Sequence, residues 1–244
     1  MLLELYPAAD DALSKFFLTN PPGPSTIPPR GAGKPMDIPI LYQDQALIVC
    51  LKPAGLSSEG DGMPVRLRQQ CGGDIYCVHR LDLPVGGLMV YARAKPAAAG
   101  LSAAIAAGKI QKEYLAVVQG EPQDEAVLRD LLFRDASKNK SYVVQRMRKG
   151  VRQAELSYRT LERQGELSLV RIRLYTGRSH QIRVQFASRG MPLAGDRKYG
   201  SRFGDAPLAL YSSALDFPHP TDGQLLHWEA KPEAGWPWSL FSLL

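Results

Sequence analysis

The chain has 244 residues, 45% of them hydrophobic and 22% charged, which excludes global disorder and suffices for one full-sized core, or one core with a small appendage. Its net charge of +6 conceals an asymmetry. From Lys138 to Arg202 there are 16 Lys or Arg against four acids (Glu155, Glu162, Glu166, Asp196), a net +12, while the remainder is −6. Such a block fits either a polyanion partner, whose phosphates Lys and Arg neutralise, or a solvated basic face; charge alone does not choose.

Residues 1–20 predict a short helix. The start, Met1-Leu2-Leu3-Glu4-Leu5 with Asp10 and Asp11 close behind, lacks the pattern of a secretory signal. No apolar run reaches the length of a membrane span, so the expectation is a cytoplasmic protein. Pro21 to Pro39 holds seven prolines with Gly23, Gly31 and Gly33, which cannot sustain a helix or a central strand. This predicts an N-terminal extension over 1–37, with an extended arm, and one catalytic domain over 38–244.

Strand patterns follow at Leu47–Leu51, Ile75–Val78, Leu88–Tyr91, Tyr114–Val118, Tyr142–Val144, Leu156–Leu161, Leu167–Leu174, Ala209–Leu215 and Leu225–Trp228, by alternation and β-branched content. Gln164-Gly165 and Thr221-Asp222-Gly223 supply turns between neighbours. Lys95–Ala107 is alanine-rich and closes on Gly108, a helix with a glycine stop. Ser179–Arg189 predicts a second helix, with Ser179 at its N-cap and Gly190 as its end. Strands mostly follow strands, so the fold class is α+β with a mixed, largely antiparallel sheet. Cys50, Cys71 and Cys77 form an odd set without paired spacing, and are read as buried free thiols rather than a zinc site. Aromatics at 8% leave room for one or two placed rings, not for extended base stacking.

Two segments concentrate chemistry. Asp82 follows the apolar run Ile75–Val78, stands beside His79 and Arg80, and precedes Pro84, Gly86 and Gly87. Taken alone it reads as a turn aspartate bonding its own backbone. Gly177-Arg178-Ser179-His180-Gln181-Ile182-Arg183 then crowds hydrogen-bonding residues into a strand-to-helix junction, a natural place to meet phosphate. On that helix Ile182 and Phe186 share an apolar face, and Arg183 is shifted towards an edge where it could pair with a carboxylate.

These residues carry a resemblance. VHRLDLPVGGLMVYARA at 78–94 resembles the core motif of the RluA-type RNA pseudouridine synthases. KEYLAVVQG at 112–120 is similar to their second motif, and GRSHQIRVQFASRGMPLAGDRKYG at 177–200 to their third. ALIVCLKPAGLSS at 46–58 and LYSSALDFPHPTDGQ at 210–224 fit the flanks. The resemblance implies an enzyme isomerising uridines of structured ribosomal or transfer RNA in a central cleft, with Asp82 catalytic, Tyr114 the active-site tyrosine and Arg183 paired with the aspartate. Arg80 would help hold the flipped nucleotide. Arg178, His180 and Gln181 would contact RNA; for His180 the choice between phosphate contact and structural support stays open. Tyr114 would stack on the uracil or help move the proton from carbon 5; Asp82 would act as nucleophile or base. The isomerisation involves no redox change and gains no group, so no cofactor or metal is required, and a monomer is expected.

The chain departs from that family pattern in two places. Val85-Gly86-Gly87 stands where Thr-Ser-Gly is usual, removing two hydroxyls after Asp82, and Gln185 stands where histidine is common. No segment resembles the small N-terminal RNA-binding domain of many relatives, so target choice is expected to rest on the catalytic domain and the arm. The alternatives are a non-catalytic RNA-binding relative, suggested by the altered loop, and a glycoside-cleaving enzyme, which would need a free pair of carboxylates.

Overall fold

The computed structural model describes residues 37–244; the helix read at 1–20 and the arm up to residue 36 lie outside the described residues. In chain order the elements are β1 (Ile40–Gln43), β2 (Leu47–Lys52), α1 (Met63–Cys71), β3 (Tyr76–Cys77), β4 (Gly86–Ala92), α2 (Lys95–Ala106), β5 (Gln111–Gln119), β6 (Glu125–Asp135), β7 (Lys140–Val144), β8 (Val151–Gln164), β9 (Leu167–Leu174), α3 (Gln181–Ala187), β10 (Leu210–Pro218) and β11 (Leu225–Glu229). The strands form one sheet in the order β1-β2-β4-β10-β5-β9-β8-β6-β7, with β11 beside β10 and β3 beside β4. Among the described residues every pairing is antiparallel except β4 with β10, so the mixed, largely antiparallel α+β sheet is borne out.

Alternation along the central strands divides the core between the two faces of the sheet. One face gathers Cys50, Met89, Tyr91, Tyr114, Ala116, Val170 and Ile172 under Met63 and Leu67 of α1 and under Ile182 and Phe186 of α3. The other packs Leu47, Val49, Leu88 and Val90 against Ala97, Leu101 and Ala104 of α2. A separate cluster joins Leu115, Val117, Leu167 and Leu169 to Phe241 near the C-terminus. All seven residues of β4 are buried, as expected for a strand covered on both faces.

The only parallel contact among the described residues is short, Tyr211 with Gly86 and Ser212 with Gly87, and the Ser212 hydroxyl donates to the Leu88 carbonyl at 3.0 Å. Gly86 and Gly87 therefore open strand β4 rather than extend the loop after Asp82. A Cβ on Gly87, whose φ is +116°, would stand 2.3 Å from the Ser212 carbonyl oxygen. Glycine is required there by both conformation and space.

Several sequence expectations need correcting. The strand read at Ile75–Val78 shrinks to Tyr76–Cys77, because His79 replaces the backbone as the partner of β4 beyond that point. Strands β1 and β6 and helix α1 went unread; in β6, Val127, Leu128, Leu131 and Leu132 are spaced as on a helix, yet cross-strand pairing with β7 and β8 sets the conformation. Ser179 is not the N-cap of α3. His180 holds that position in the left-handed conformation at φ +53°, with no side-chain cap. Of the three free cysteines only Cys50 is buried, and Cys77 is exposed.

Replacing Gly87 by Ala should therefore cost about 3 kcal/mol, lowering the melting temperature by roughly 6–12 °C. An unchanged thermal transition would show that the β4–β10 junction tolerates a Cβ.

Candidate active site

The site forms where β4, β10, β5 and β9 lie side by side. Asp82 sits just before β4, Tyr114 lies on β5, and Arg183 lies on α3 just after β9. All three line one cleft of about 800 Å³, together with His79, Arg80, Lys112, Arg178, His180 and Gln181.

The segment after β2 fixes the backbone around Asp82. The Ser58 hydroxyl donates to the Leu81 carbonyl at 2.8 Å and accepts from the Leu81 N–H at 3.2 Å. The Tyr91 hydroxyl holds the Ser58 carbonyl at 2.8 Å from below. On the other side of Asp82, the Leu83 carbonyl accepts from the Gly55 N–H at 2.8 Å and from the Lys52 ammonium at 3.2 Å. Lys52 is 1% exposed, and burial lowers its pKa to about 8 while the Asp82 charge opposes that fall. The turn closes with the Val85 N–H donating to the Asp82 carbonyl at 3.0 Å.

The Asp82 carboxylate is held from one side. Arg183 Nη1 donates to its Oδ2 at 3.0 Å, while Arg183 Nε and Nη2 donate to the two oxygens of Asp196 at 2.7 and 2.8 Å. This two-toothed pairing fixes the guanidinium plane. Burial opposes the guanidinium charge, but Asp196 and then Asp82 more than offset it, so the Arg183 pKa is raised. His180 Nε2 stands 3.8 Å from the same Oδ2, and its Nδ1 is 3.0 Å from the Tyr199 hydroxyl, which itself accepts from the Ser141 N–H at 2.8 Å. Burial lowers the His180 pKa, against the pull of Asp82, which keeps the ring neutral at pH 7. Both neighbours approach Oδ2, and Oδ1 has no hydrogen bond among the described residues.

Tyr114 is 6% exposed. Burial first, then the Asp82 charge, raise its pKa, so its hydroxyl stays protonated and offers a ring face and a donor, not a phenolate base. Arg80 and Arg178 are exposed. Arg80 meets Glu59 at 3.4 Å, and Arg178 Nε donates to the Gln153 carbonyl at 2.9 Å. Gln181 turns inward, at 2% exposure: its oxygen accepts from the Thr176 hydroxyl and the Arg178 N–H, and its nitrogen donates to the Glu155 carbonyl. Gln181 thus uses its oxygen and one N–H to hold the 176–178 loop.

Asp196 was missed in the sequence, although a lone acid among Arg183, Arg189, Arg197 and Lys198 is the available signal. It is 1% exposed and both its oxygens engage Arg183. It is not the free second carboxylate that glycoside hydrolysis needs.

The chain is similar to known proteins along most of its length. Residues 46–188 match the family model described as RNA pseudouridylate synthase. The chain is 32% identical over 232 residues to the ribosomal large subunit pseudouridine synthase D of Zymomonas mobilis, covering 84% of this chain and 73% of that protein. It is 30% identical over 214 residues to the ribosomal large subunit pseudouridine synthase C of Escherichia coli, covering 80% and 67%. In fold, it superposes on human RNA pseudouridylate synthase domain containing 1 with a TM-score of 0.71 at 21% identity, covering 83% of this chain and 86% of that one. The corresponding human protein numbered 4 gives 0.67 at 24%, covering 79% and 88%.

Removing Asp196 leaves a buried guanidinium with one partner, so Asp196→Ala should destabilise the fold by about 3–5 kcal/mol in urea unfolding. A loss below about 1 kcal/mol would mean that Arg183 does not depend on it.

Proposed function

The chain belongs to the RNA pseudouridylate synthase family, and we propose that Asp82, Tyr114 and Arg183 carry its reaction, on uridines of ribosomal RNA. The protein is an RNA pseudouridine synthase of the RluA type, an isomerase acting on RNA. The ribosomal target is favoured over transfer RNA because the relatives are named for the large ribosomal subunit, and such a target fits work in the cytoplasm.

One observation carries the assignment of residues. Arg183 spans Asp196 and Asp82 and contacts Asp82 at Oδ2 alone, which leaves Oδ1 as the reacting oxygen. The reaction breaks the bond between ribose C1′ and N1, turns the uracil, and joins C1′ to C5. The C5 proton is lost and N1 gains one, so atoms and electrons balance within the nucleotide and water. Asp82 Oδ1 meets the target as nucleophile or base, and Arg183 holds the carboxylate ionised and oriented. Tyr114 lies against the base with its hydroxyl as a donor.

The target must leave its stack to reach a carboxylate at the base of this cleft. Arg80 and Arg178, exposed at the rim, are the groups that meet the displaced strand. His180 and Gln181 act from within, His180 beside Asp82 and Gln181 through the 176–178 loop. The loss of Thr-Ser after Asp82 is tolerated because Gly86 and Gly87 belong to β4, and the Asp82 turn is held by Ser58, Gly55 and Lys52 instead.

With RNA tritiated at uridine C5, taken from cells lacking this protein, the chain should release tritium to water. Asp82→Asn should slow that release by at least about 1,000-fold while RNA binding persists. Comparable release by the variant would remove Asp82 from the chemistry.

A further inference from the structure

On the sheet face opposite Tyr114, three arginines stand without an ion pair among the described residues. Arg171 and Arg173 alternate along β9 and Tyr175 follows at its end, so the three side chains leave on one face, and all are exposed. Arg159 of β8 is exposed too and lies directly opposite Arg171, a like-charge pair that is unfavourable unless an anion lies near. The three arginines share a groove of about 470 Å³ with Glu113 and Glu125. Neither glutamate, nor any other carboxylate among the described residues, pairs with them.

Tyr175 marks the place where this face meets the active-site cleft. It is 53% exposed and lines the cleft beside Arg173, which also borders the groove. A single exposed aromatic is ordinary, but this one is held at both ends. Its N–H donates to the Glu155 carbonyl at 3.2 Å, and its hydroxyl is hydrogen-bonded to the Ser157 hydroxyl at 3.1 Å. The Arg173 guanidinium lies over the ring, 5.6 Å from its centroid, within cation–π range. A ring fixed in this way and still more than half exposed loses little freedom when a flat partner stacks on it.

We propose that Tyr175 is a stacking shelf for the nucleobase next to the target uridine, and that Arg173, Arg171 and Arg159 bind phosphates of the strand leading away from the cleft. A flipped uridine leaves its neighbour unstacked, and the shelf offers that neighbour a replacement surface at the rim. The alternating arginines, about 7 Å apart along β9, then meet the backbone that follows. An acidic peptide would satisfy the arginines but leave the ring unused. This inference rests on the reading of the cleft as the uridine site.

The test uses a single-stranded oligocytidylate with one central uridine, bound to the Asp82→Asn protein, and copies in which each neighbouring nucleotide in turn lacks its base. With Tyr175 present, loss of the base on one side of the uridine should weaken binding about tenfold. Tyr175→Ala should bind the intact oligonucleotide about tenfold more weakly and show no further loss at that position, whereas Tyr175→Phe keeps the ring and the positional loss. Arg173→Gln and Arg159→Gln should each reduce the slope of log affinity against log salt by about 0.7. A positional loss that does not depend on Tyr175, a slope unmoved by either arginine variant, or an oligonucleotide that does not bind would each overturn the proposal. Tritium release from cellular RNA by the chain with Asp82 intact is measured in parallel. Release without the Tyr175 coupling rejects the shelf alone, and coupling without release rejects the isomerase reading alone.

Discussion

A single buried guanidinium organises this protein. Arg183 is 6% exposed and faces two carboxylates, one structural and one open to the cleft. Burying two of these charges is costly, and the arrangement is tolerable only because six atoms are matched in fixed geometry, with Arg183 Nε and Nη2 on Asp196 and Nη1 on Asp82. Asp196 determines where the guanidinium lies, and the guanidinium determines which Asp82 oxygen is occupied.

The sheet supplies rigidity to that arrangement. Tyr114 comes from β5, Arg183 from the helix after β9, and Asp82 from the turn into β4, and β10 lies between β4 and β5. The short parallel contact at Gly86 and Gly87 is therefore a structural seam between the half of the sheet that carries Asp82 and the half that carries its partners. Close packing across the seam leaves no room for a side chain on Gly87. On the other side of Asp82, Ser58, Gly55 and Lys52 hold the backbone of Leu81 and Leu83. The Asp82 turn is thus fixed from two directions.

Much of this was legible in the sequence, for identifiable reasons. The strand Leu167–Leu174 emerged with its bounds intact, and the others read by alternation or β-branched content emerged in place with shifted ends. The offset of Arg183 from Ile182 and Phe186 on the helix placed it where it could pair with a carboxylate, and the resemblance implied Asp82 as the partner. Strand β6 was not legible, because its leucines are spaced for a helix and only cross-strand partners decide otherwise. Asp196 and the inward turn of Gln181 were hidden for a related reason. Their roles arise from contacts with Arg183 and with the Glu155 carbonyl, which local pattern does not encode. The hydroxyls missing at Val85 and Gly86 looked like a defect in a loop, whereas in the structure Gly86 already opens β4.

The central claim is that the shape of Arg183, and not merely its charge, orients Asp82. Single-turnover pseudouridine formation by Arg183→Lys tests it most directly, with RNA affinity measured alongside. Lysine keeps the charge but cannot span Asp196 and Asp82 with three fixed N–H bonds. The rate should fall about 100-fold or more while RNA affinity changes little. A lysine variant that turns over at the unmodified rate would contradict the account.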